Sequence, residues 1–438
     1  MTETMNIQFT AQAGGSLKGK IRVPGDKSIS HRSIMLGSIA DGVTEIRGFL
    51  QGEDSLATLK AFRAMGVVIE GPKDGVVTVH GAGLHGLRAP GAPLDLGNSG
   101  TSMRLLSGLL AGQAFDVEIV GDDSLMSRPM RRVTEPLTQM GAQIGTTGKG
   151  TAPLKIRGGH TLQGISYDMP VASAQVKSCL LLAGLYAGGR TCVQEPAPTR
   201  DHTERMLAGM GYPVSSQDGK VCLEGGGRLS AIPIDVPADI SSAAFFLVGA
   251  SIAPGSDLLI EHVGVNPTRT GVLEILRLMG ADIEVRHQHE VGGEPVADLR
   301  VRYAPLRGIE IPLAQVPLAI DEFPILFIAA ACAQGRTLLT GAEELRVKES
   351  DRIQVMADGL QALGIEAEPT GDGMIIEGGR ISSGRVDSRG DHRIAMSFAM
   401  AALRAQGPIS IDDCANVSTS FPGFVELASA VGLSITTE

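Results

Sequence analysis

Tryptophan is absent from the 438 residues and aromatics make up only 3%, so the core must be built from Leu, Ile, Val, Met and Ala. With 43% hydrophobic residues the chain has ample material for one. Cysteine is scarce: Cys179, Cys192, Cys222, Cys332 and Cys414 lie far apart with no CxxC spacing. The odd count and the scatter suggest buried free thiols in a reducing cytoplasm. The nine histidines form no HExxH or similar pattern, so no metal site is expected. Positive charge is not in excess. A net charge of −10 argues against nucleic acid or an anionic membrane as partner of the whole molecule, while leaving room for a local basic pocket. The most apolar stretches, such as 323–333, run to about a dozen residues and are too short to span a bilayer. Residues 1–10 are polar, with no charged segment followed by an apolar run, so no secretory leader is expected.

Glycine, in contrast, is abundant, with 57 residues spread along the chain. That distribution points to many tight turns between short elements, not to a linker or a collagen repeat. The length suggests roughly two or three domains.

An internal repeat organises the chain. An amphipathic stretch ending in Met/Leu/Val-Gly and followed by an alternating apolar strand occurs at 59–69, 133–144, 204–214, 272–283, 356–367 and 424–435. Its glycines are Gly66, Gly141, Gly211, Gly280, Gly364 and Gly432. Each copy reads as a surface helix stopped by a C-terminal glycine. A second element, rich in Leu, Ala and Ile with little polar periodicity, occurs at 31–40, 103–111, 175–187, 241–252, 323–333 and 392–404. A helix apolar nearly all round is a buried helix. Six βα-type units result, and they divide into two groups of three. The segment 234–239, bearing Pro and Asp, suits a chain crossing, whereas pattern alone assigns the residues before Pro24 to neither half.

Each buried stretch begins with Gly, Ser, Asp or basic residues: Gly25-Asp-Lys-Ser28, Gly97-Asn-Ser-Gly-Thr101, Ala172-Ser-Ala-Gln175, Ala238-Asp-Ile-Ser241, Ile320-Asp-Glu322 and Arg389-Gly-Asp-His392. Helix N-termini present free N–H groups and a positive dipole end, which favour anions. Helix capping would equally explain the Ser and Asp residues. It does not explain Lys27, Arg32, Arg104, Lys177 and Arg393 beside or within apolar stretches. Further basic residues, including Arg128, Arg200, Lys348 and Arg352, stand in turns or at helix starts, where they suit carboxylate and phosphate ligands. Two acids stand out. Asp321 lies between apolar runs, where desolvation would raise its pKa, and Glu349 is flanked by Lys348 and Arg352. Carboxylates in different surroundings suit separate acid and base roles. A helix cap and a surface ion pair remain the plainer readings.

Gly25-Asp-Lys-Ser-Ile-Ser-His-Arg32, Leu96-Gly-Asn-Ser-Gly-Thr-Ser-Met-Arg104, Arg128-Pro-Met, Ser173-Ala-Gln175, Arg346-Val-Lys-Glu-Ser-Asp-Arg352 and Gly390-Asp-His-Arg393 resemble the 5-enolpyruvylshikimate-3-phosphate synthase family. The resemblance runs in order over nearly the whole chain. Ser173-Ala-Gln-Val-Lys177, Arg200-Asp-His-Thr-Glu204 and Asn266-Pro-Thr-Arg269 resemble its class II branch. It implies an α/β enolpyruvyl transferase fold, an inside-out α/β barrel of two domains, each built from three βαβαββ-like units. Residues 1–25 with 239–438 would form one domain and 26–238 the other, with crossings near 24–26 and 236–239.

The resemblance also implies a cytoplasmic, monomeric enzyme of chorismate biosynthesis. It would use phosphoenolpyruvate and shikimate 3-phosphate, with no cofactor, metal, nucleic acid or membrane partner. Lys27, Ser28, Arg32, Ser173, Ala174, Gln175, Arg200, Asp321 and Lys348 would hold shikimate 3-phosphate. Lys27, Gly100, Arg128, Gln175, Arg352 and Arg393 would hold phosphoenolpyruvate. Asp321, Glu349 and Lys27 would carry the proton transfers.

Two departures stand out. Class I members have Ser-Ser-Gln where Ser173-Ala-Gln175 stands, and a Lys is missing from Ser418-Thr-Ser-Phe421. The sister transferase acting on UDP-N-acetylglucosamine usually has a Cys in the loop that here reads Gly121-Asp-Asp-Ser-Leu-Met-Ser-Arg128. Class II members often resist glyphosate, most commonly through an Ala at the position of Gly100. With Gly there the steric block is missing and inhibition is expected; Leu105, at a position often Pro in class I enzymes, is the side chain that would act against this by reshaping the helix that carries Gly100.

Overall fold

Each of the six repeat glycines ends a helix. The helices are Glu53–Ala64, Arg131–Gln139, His202–Gly209, Gly271–Leu278, Arg352–Ala362 and Phe424–Val431. The glycines that follow them all have positive φ, a conformation that is nearly free for Gly and strained for other residues. In every copy the residue after the glycine donates its N–H to the carbonyl five residues back, as Val67 to Phe62 at 3.1 Å and Leu433 to Ala428 at 3.0 Å. That bond satisfies an orphan carbonyl of the last turn and aims the chain into the next strand. These features come from a computed structural model that describes residues 7–438. Most of the stretch expected to lack a leader lies outside the described residues.

The six apolar stretches form the helices Lys27–Ile39, Gly100–Ala111, Ala174–Gly184, Ile240–Ile252, Phe323–Ala331 and His392–Ala401. Every residue of Ile240–Ile252 and Phe323–Ala331 is buried. Neither sequence has a polar face to turn toward water. Helices Gly100–Ala111 and Ala174–Gly184 cross at Gly108, where a Cβ would stand 2.0 Å from the Cys179 carbonyl oxygen. Only glycine permits that approach.

Among the described residues the strands form six sheets. In five of them a parallel pair is followed by an antiparallel one, and in four of these a second antiparallel pair follows. In the sixth, strands Arg336–Leu339, Met374–Glu377 and Glu366–Pro369 pair antiparallel, and an isolated parallel bridge from Glu310 to Leu338 takes the fourth place. Strand Phe9–Ala11 inserts between Ile409–Asp412 and Ile435–Thr437, so the start of the chain completes a sheet of its C-terminal third.

The chain forms two compact units. One comprises residues up to Pro24 with Pro237–Glu290 and Pro295–Glu438; the other comprises Gly25–Val236 with Val291–Glu294. Each has its own apolar core and three of the sheets. Residues 291–294, which the sequence reading assigns to the first unit, group with the second. There His202 Nδ1 lies 2.8 Å from Glu294 Oε1, and Arg205 Nη1 donates to Gly293 O at 2.9 Å.

The expectation of five free thiols is wrong for two of them. Cys192 and Cys222 stand in register on the antiparallel strands Arg190–Gln194 and Lys220–Glu224 and form a disulfide, with Cα atoms 4.1 Å apart. Strand pairing brings together residues 30 apart, which no local spacing reveals. Cys179, Cys332 and Cys414 are free, and burial pushes the Cys179 and Cys414 thiols up to about 12. Among the described residues no helix is long and apolar enough to cross a membrane.

Candidate active site

In the second unit the first turns of three buried helices are tied together by side chains. Asp26, Ser99 and Ser173 cap them, accepting from the N–H groups of Ile29, Ser102 and Val176. Lys27, the first residue of its helix, lies with Nζ 2.9 Å from Asp54 Oδ2. Arg104 Nη1 donates to Gln175 Oε1 at 2.7 Å, and Gln175 Nε2 donates to Thr101 Oγ1 at 3.0 Å. Arg128 reaches the same loop, donating from Nη2 to Asn98 Oδ1 at 2.6 Å. Gly100 sits between the two guanidinium groups: a Cβ there would lie 2.9 Å from Arg104 Nη1 and 3.2 Å from Arg128 Nη1. Leu105, one turn on, is buried in the core and does not line this surface.

A chain of hydroxyls underlies these turns. Ser99 Oγ, Ser102 Oγ, Thr58 Oγ1 and His31 Nδ1 follow one another at 2.7, 2.6 and 2.7 Å. Burial drives the His31 pKa down from its ordinary 6.5 to about 3, so the ring is neutral in the folded state. Between those values the unfolded chain binds more protons than the folded one. The stabilising effect is therefore complete above pH 6.5 and is lost as pH falls toward 3. The full difference corresponds to about 5 kcal/mol. His31→Gln should flatten the acid limb of unfolding free energy against pH. An unchanged slope between pH 6.5 and the acid transition would contradict this assignment.

The first unit carries the acids. Arg352 is 1% exposed and opens the helix Arg352–Ala362. Its Nε donates to Asp391 Oδ2 at 2.8 Å and its Nη2 to Glu349 Oε2 at 2.6 Å, while Nη1 lies 3.5 Å from Asp321 Oδ1. One guanidinium thus orients three carboxylates. Burial acts to lower its pKa, but Asp391, Glu349 and Asp321 outweigh that and raise it. Lys348 Nζ lies 3.4 Å from Asp321 Oδ1 and 2.8 Å from Glu344 Oε1. Burial also works against Lys348, and these two acids reverse the effect, so it stays charged.

The sequence reading placed Asp321 in apolar surroundings. Its neighbours include two cations, Lys348 and Arg352. Nor is Asp321 a cap: the residue at the cap position is Glu322, and no side chain caps the helix Phe323–Ala331. Arg393 Nη1 donates to Asp321 O at 2.9 Å and lies 3.7 Å from Glu322 Oε1.

Lys27, Ser28, Arg32, Gly100, Arg128, Ser173, Ala174, Gln175 and Arg200 lie in the second unit, and Asp321, Lys348, Glu349, Arg352 and Arg393 in the first. Both expected ligand sets therefore draw on both units. Arg32 is 4% exposed, and all three of its nitrogens donate inside the protein, to Thr203 Oγ1, Ser28 O and Ser178 Oγ. Burial lowers its pKa to about 10. Lys177, read as part of an anionic site, is instead buried against Glu204 and Glu195. Sequence reading missed Asp54, which holds Lys27, and Asp391, which holds Arg352.

Residues 11–427 match the family described as EPSP synthase (3-phosphoshikimate 1-carboxyvinyltransferase). The chain is 73% identical to the 3-phosphoshikimate 1-carboxyvinyltransferase of Methylococcus capsulatus, over 98% of each chain. It is 71% identical to that of Alkalilimnicola ehrlichii, over 98% of this chain and 97% of the other. The structure of EPSP synthase from Acinetobacter baumannii superposes with a TM-score of 0.91 at 60% identity, covering 99% of this chain and all of that one.

Proposed function

This chain belongs to the EPSP synthase family, and we propose that the basic helix starts of the second unit and the acid cluster of the first carry its reaction. The reaction is transfer of the enolpyruvyl group of phosphoenolpyruvate to the 5-hydroxyl of shikimate 3-phosphate, with release of phosphate, and the fold is that of the enolpyruvyl transferases. Asp321, beside Lys348 and Arg352, takes the proton of the 5-hydroxyl as that oxygen attacks C2 of phosphoenolpyruvate. Glu349, a third exposed and aimed by Arg352, protonates the methylene carbon with Lys27 assisting, and later removes a methyl proton. Phosphate then leaves the tetrahedral intermediate by C–O cleavage. The observation that carries these roles is the single Arg352 guanidinium shared by Asp321, Glu349 and Asp391.

Lys27, Ser28, Ser173, Ala174, Gln175, Arg200, Asp321 and Lys348 hold shikimate 3-phosphate in this reading, with Arg32 bracing them from beneath. Lys27, Gly100, Arg128, Gln175, Arg352 and Arg393 hold phosphoenolpyruvate. A monomer in the cytoplasm, where charged phosphorylated metabolites are retained, completes the proposal. Phosphate release should require phosphoenolpyruvate together with shikimate 3-phosphate. Release with UDP-N-acetylglucosamine as acceptor instead would overturn the assignment.

The same geometry bears on glyphosate. In Gly100→Ala the new methyl meets the tips of two flexible side chains, Arg104 and Arg128, so it displaces them without unfolding the helix. Glyphosate should inhibit the parent enzyme competitively with phosphoenolpyruvate. Gly100→Ala should weaken that inhibition by roughly 10–200-fold, the range for one methyl in a tight pocket, and raise the KM for phosphoenolpyruvate less. A parent inhibition constant already as weak as the variant's would show that another feature sets the response.

A further inference from the structure

Two of the motifs singled out in the sequence, Ser173-Ala-Gln-Val-Lys177 and Arg200-Asp-His-Thr-Glu204, meet inside the second unit at residues that the proposed chemistry leaves unused. Lys177 is fully buried, and its Nζ lies 2.6 Å from Glu204 Oε1 and 3.1 Å from Glu195 Oε1. The two carboxylates are nearly as buried, with side chains 8% and 7% exposed. Glu195 directly follows the strand Arg190–Gln194, and Glu204 lies in the first turn of the helix His202–Gly209. The segment between them carries two prolines and Arg200. One ammonium therefore holds both ends of the segment that presents Arg200.

Other bonds hold its interior. Thr199 Oγ1, one residue before Arg200, donates to Glu195 Oε1. Arg205 Nε donates to Asp201 Oδ2, one residue after it, at 2.9 Å. Ser178, next to Lys177, shares a hydrogen bond with Thr203 at 2.7 Å, and Arg32 donates to both. Lys177 and Arg32 are both buried cations, and Glu195 and Glu204 lie against Lys177. A surface pair would contribute little, but a buried cation whose removal strands two carboxylates fixes its surroundings strongly.

We infer that Lys177 is a positioning residue, locking the 195–204 segment to the helix Ala174–Gly184 so that Arg200 stands at a set place relative to Gln175, two residues before Lys177 on that helix, and to its cap Ser173. The inference rests on the reading that Arg200 meets shikimate 3-phosphate.

The test compares parent, Arg200→Ala, and the charge-neutral triple Lys177→Met/Glu195→Gln/Glu204→Gln, which keeps side-chain volume while removing the buried charges. Steady-state kinetics with each substrate varied should show KM for shikimate 3-phosphate raised about tenfold or more in the triple, with kcat and KM for phosphoenolpyruvate little changed. Adding Arg200→Ala to the triple should add little, because both changes disable the same contact. A lowered Tm with unchanged KM, or full additivity with Arg200→Ala, would reduce Lys177 to a structural residue. If Arg200→Ala alone leaves KM unchanged, the reading of Arg200 fails, whatever the triple does. Glu195→Gln, which keeps the Lys177–Glu204 pair, serves if the triple does not fold. It should raise the same KM by a smaller factor, and no rise would overturn the proposal.

Discussion

Replacing Asp321 by Ala or Glu349 by Gln should lower turnover by about 10²-fold or more, the range lost with a general acid or base. The two changes differ in what else they disturb. Gln at 349 keeps an oxygen that can accept from Arg352 Nη2, and its site is a third exposed, so packing and charge elsewhere stay nearly intact. Shikimate 3-phosphate should therefore bind Glu349→Gln as it binds the parent, and the loss should appear in kcat. Asp321→Ala removes the acid beside Lys348 and Arg352, so binding should weaken along with turnover. Single-turnover kinetics with calorimetric binding separate the two. Near-normal turnover in either variant removes that residue from its role.

Arg352→Met should cost the first unit about 3–5 kcal/mol of stability, because it leaves Asp391 charged and unpaired by its buried partner. The magnitudes identify which of the Arg352 contacts matters. The pair with Glu349 is partly exposed and of the i,i+3 type, worth at most about 1 kcal/mol. The contact with Asp391 is closed off from water on both sides, at 1% and 0% exposure, and there the loss is large. Turnover should vanish as well, since Asp321 and Glu349 lose their common anchor. Denaturant unfolding of the variant measures the first effect; a loss under 1 kcal/mol would mean that Asp391 is held by other groups.

The repeat was legible because helix ending is local chemistry. A glycine with positive φ and its backward hydrogen bond follow from a few adjacent residues, and all six copies behave alike. Capping was legible for the same reason. Asp26, Ser99, Ser173, Asp239 and Asp391 are caps as well as neighbours of the basic residues, so the two readings of those motifs were never exclusive. Tertiary pairing could not be read this way. Lys177 is followed along the chain by an apolar helix, and nothing nearby announces that Glu195 and Glu204 will enclose it. Asp321 looked desolvated because its chain neighbours are apolar, yet its spatial neighbours Lys348 and Arg352 come from about 30 residues onward. The bond between Cys192 and Cys222 depends on strand register, and so escaped the same kind of reading.

Enolpyruvyl transfer breaks the C–O bond of phosphoenolpyruvate, and an isotope label follows that bond directly. Phosphoenolpyruvate carrying heavy oxygen in the C–O–P bridge is mixed with enzyme and shikimate 3-phosphate, and the phosphate and organic product are weighed by mass spectrometry. Enolpyruvyl transfer through a tetrahedral intermediate predicts that the label leaves with the phosphate, and that the product is an enol ether joined through the unlabelled 5-oxygen of the acceptor. Label retained in pyruvate or in any organic product, with unlabelled phosphate released or transferred, would mean P–O cleavage and would contradict the account.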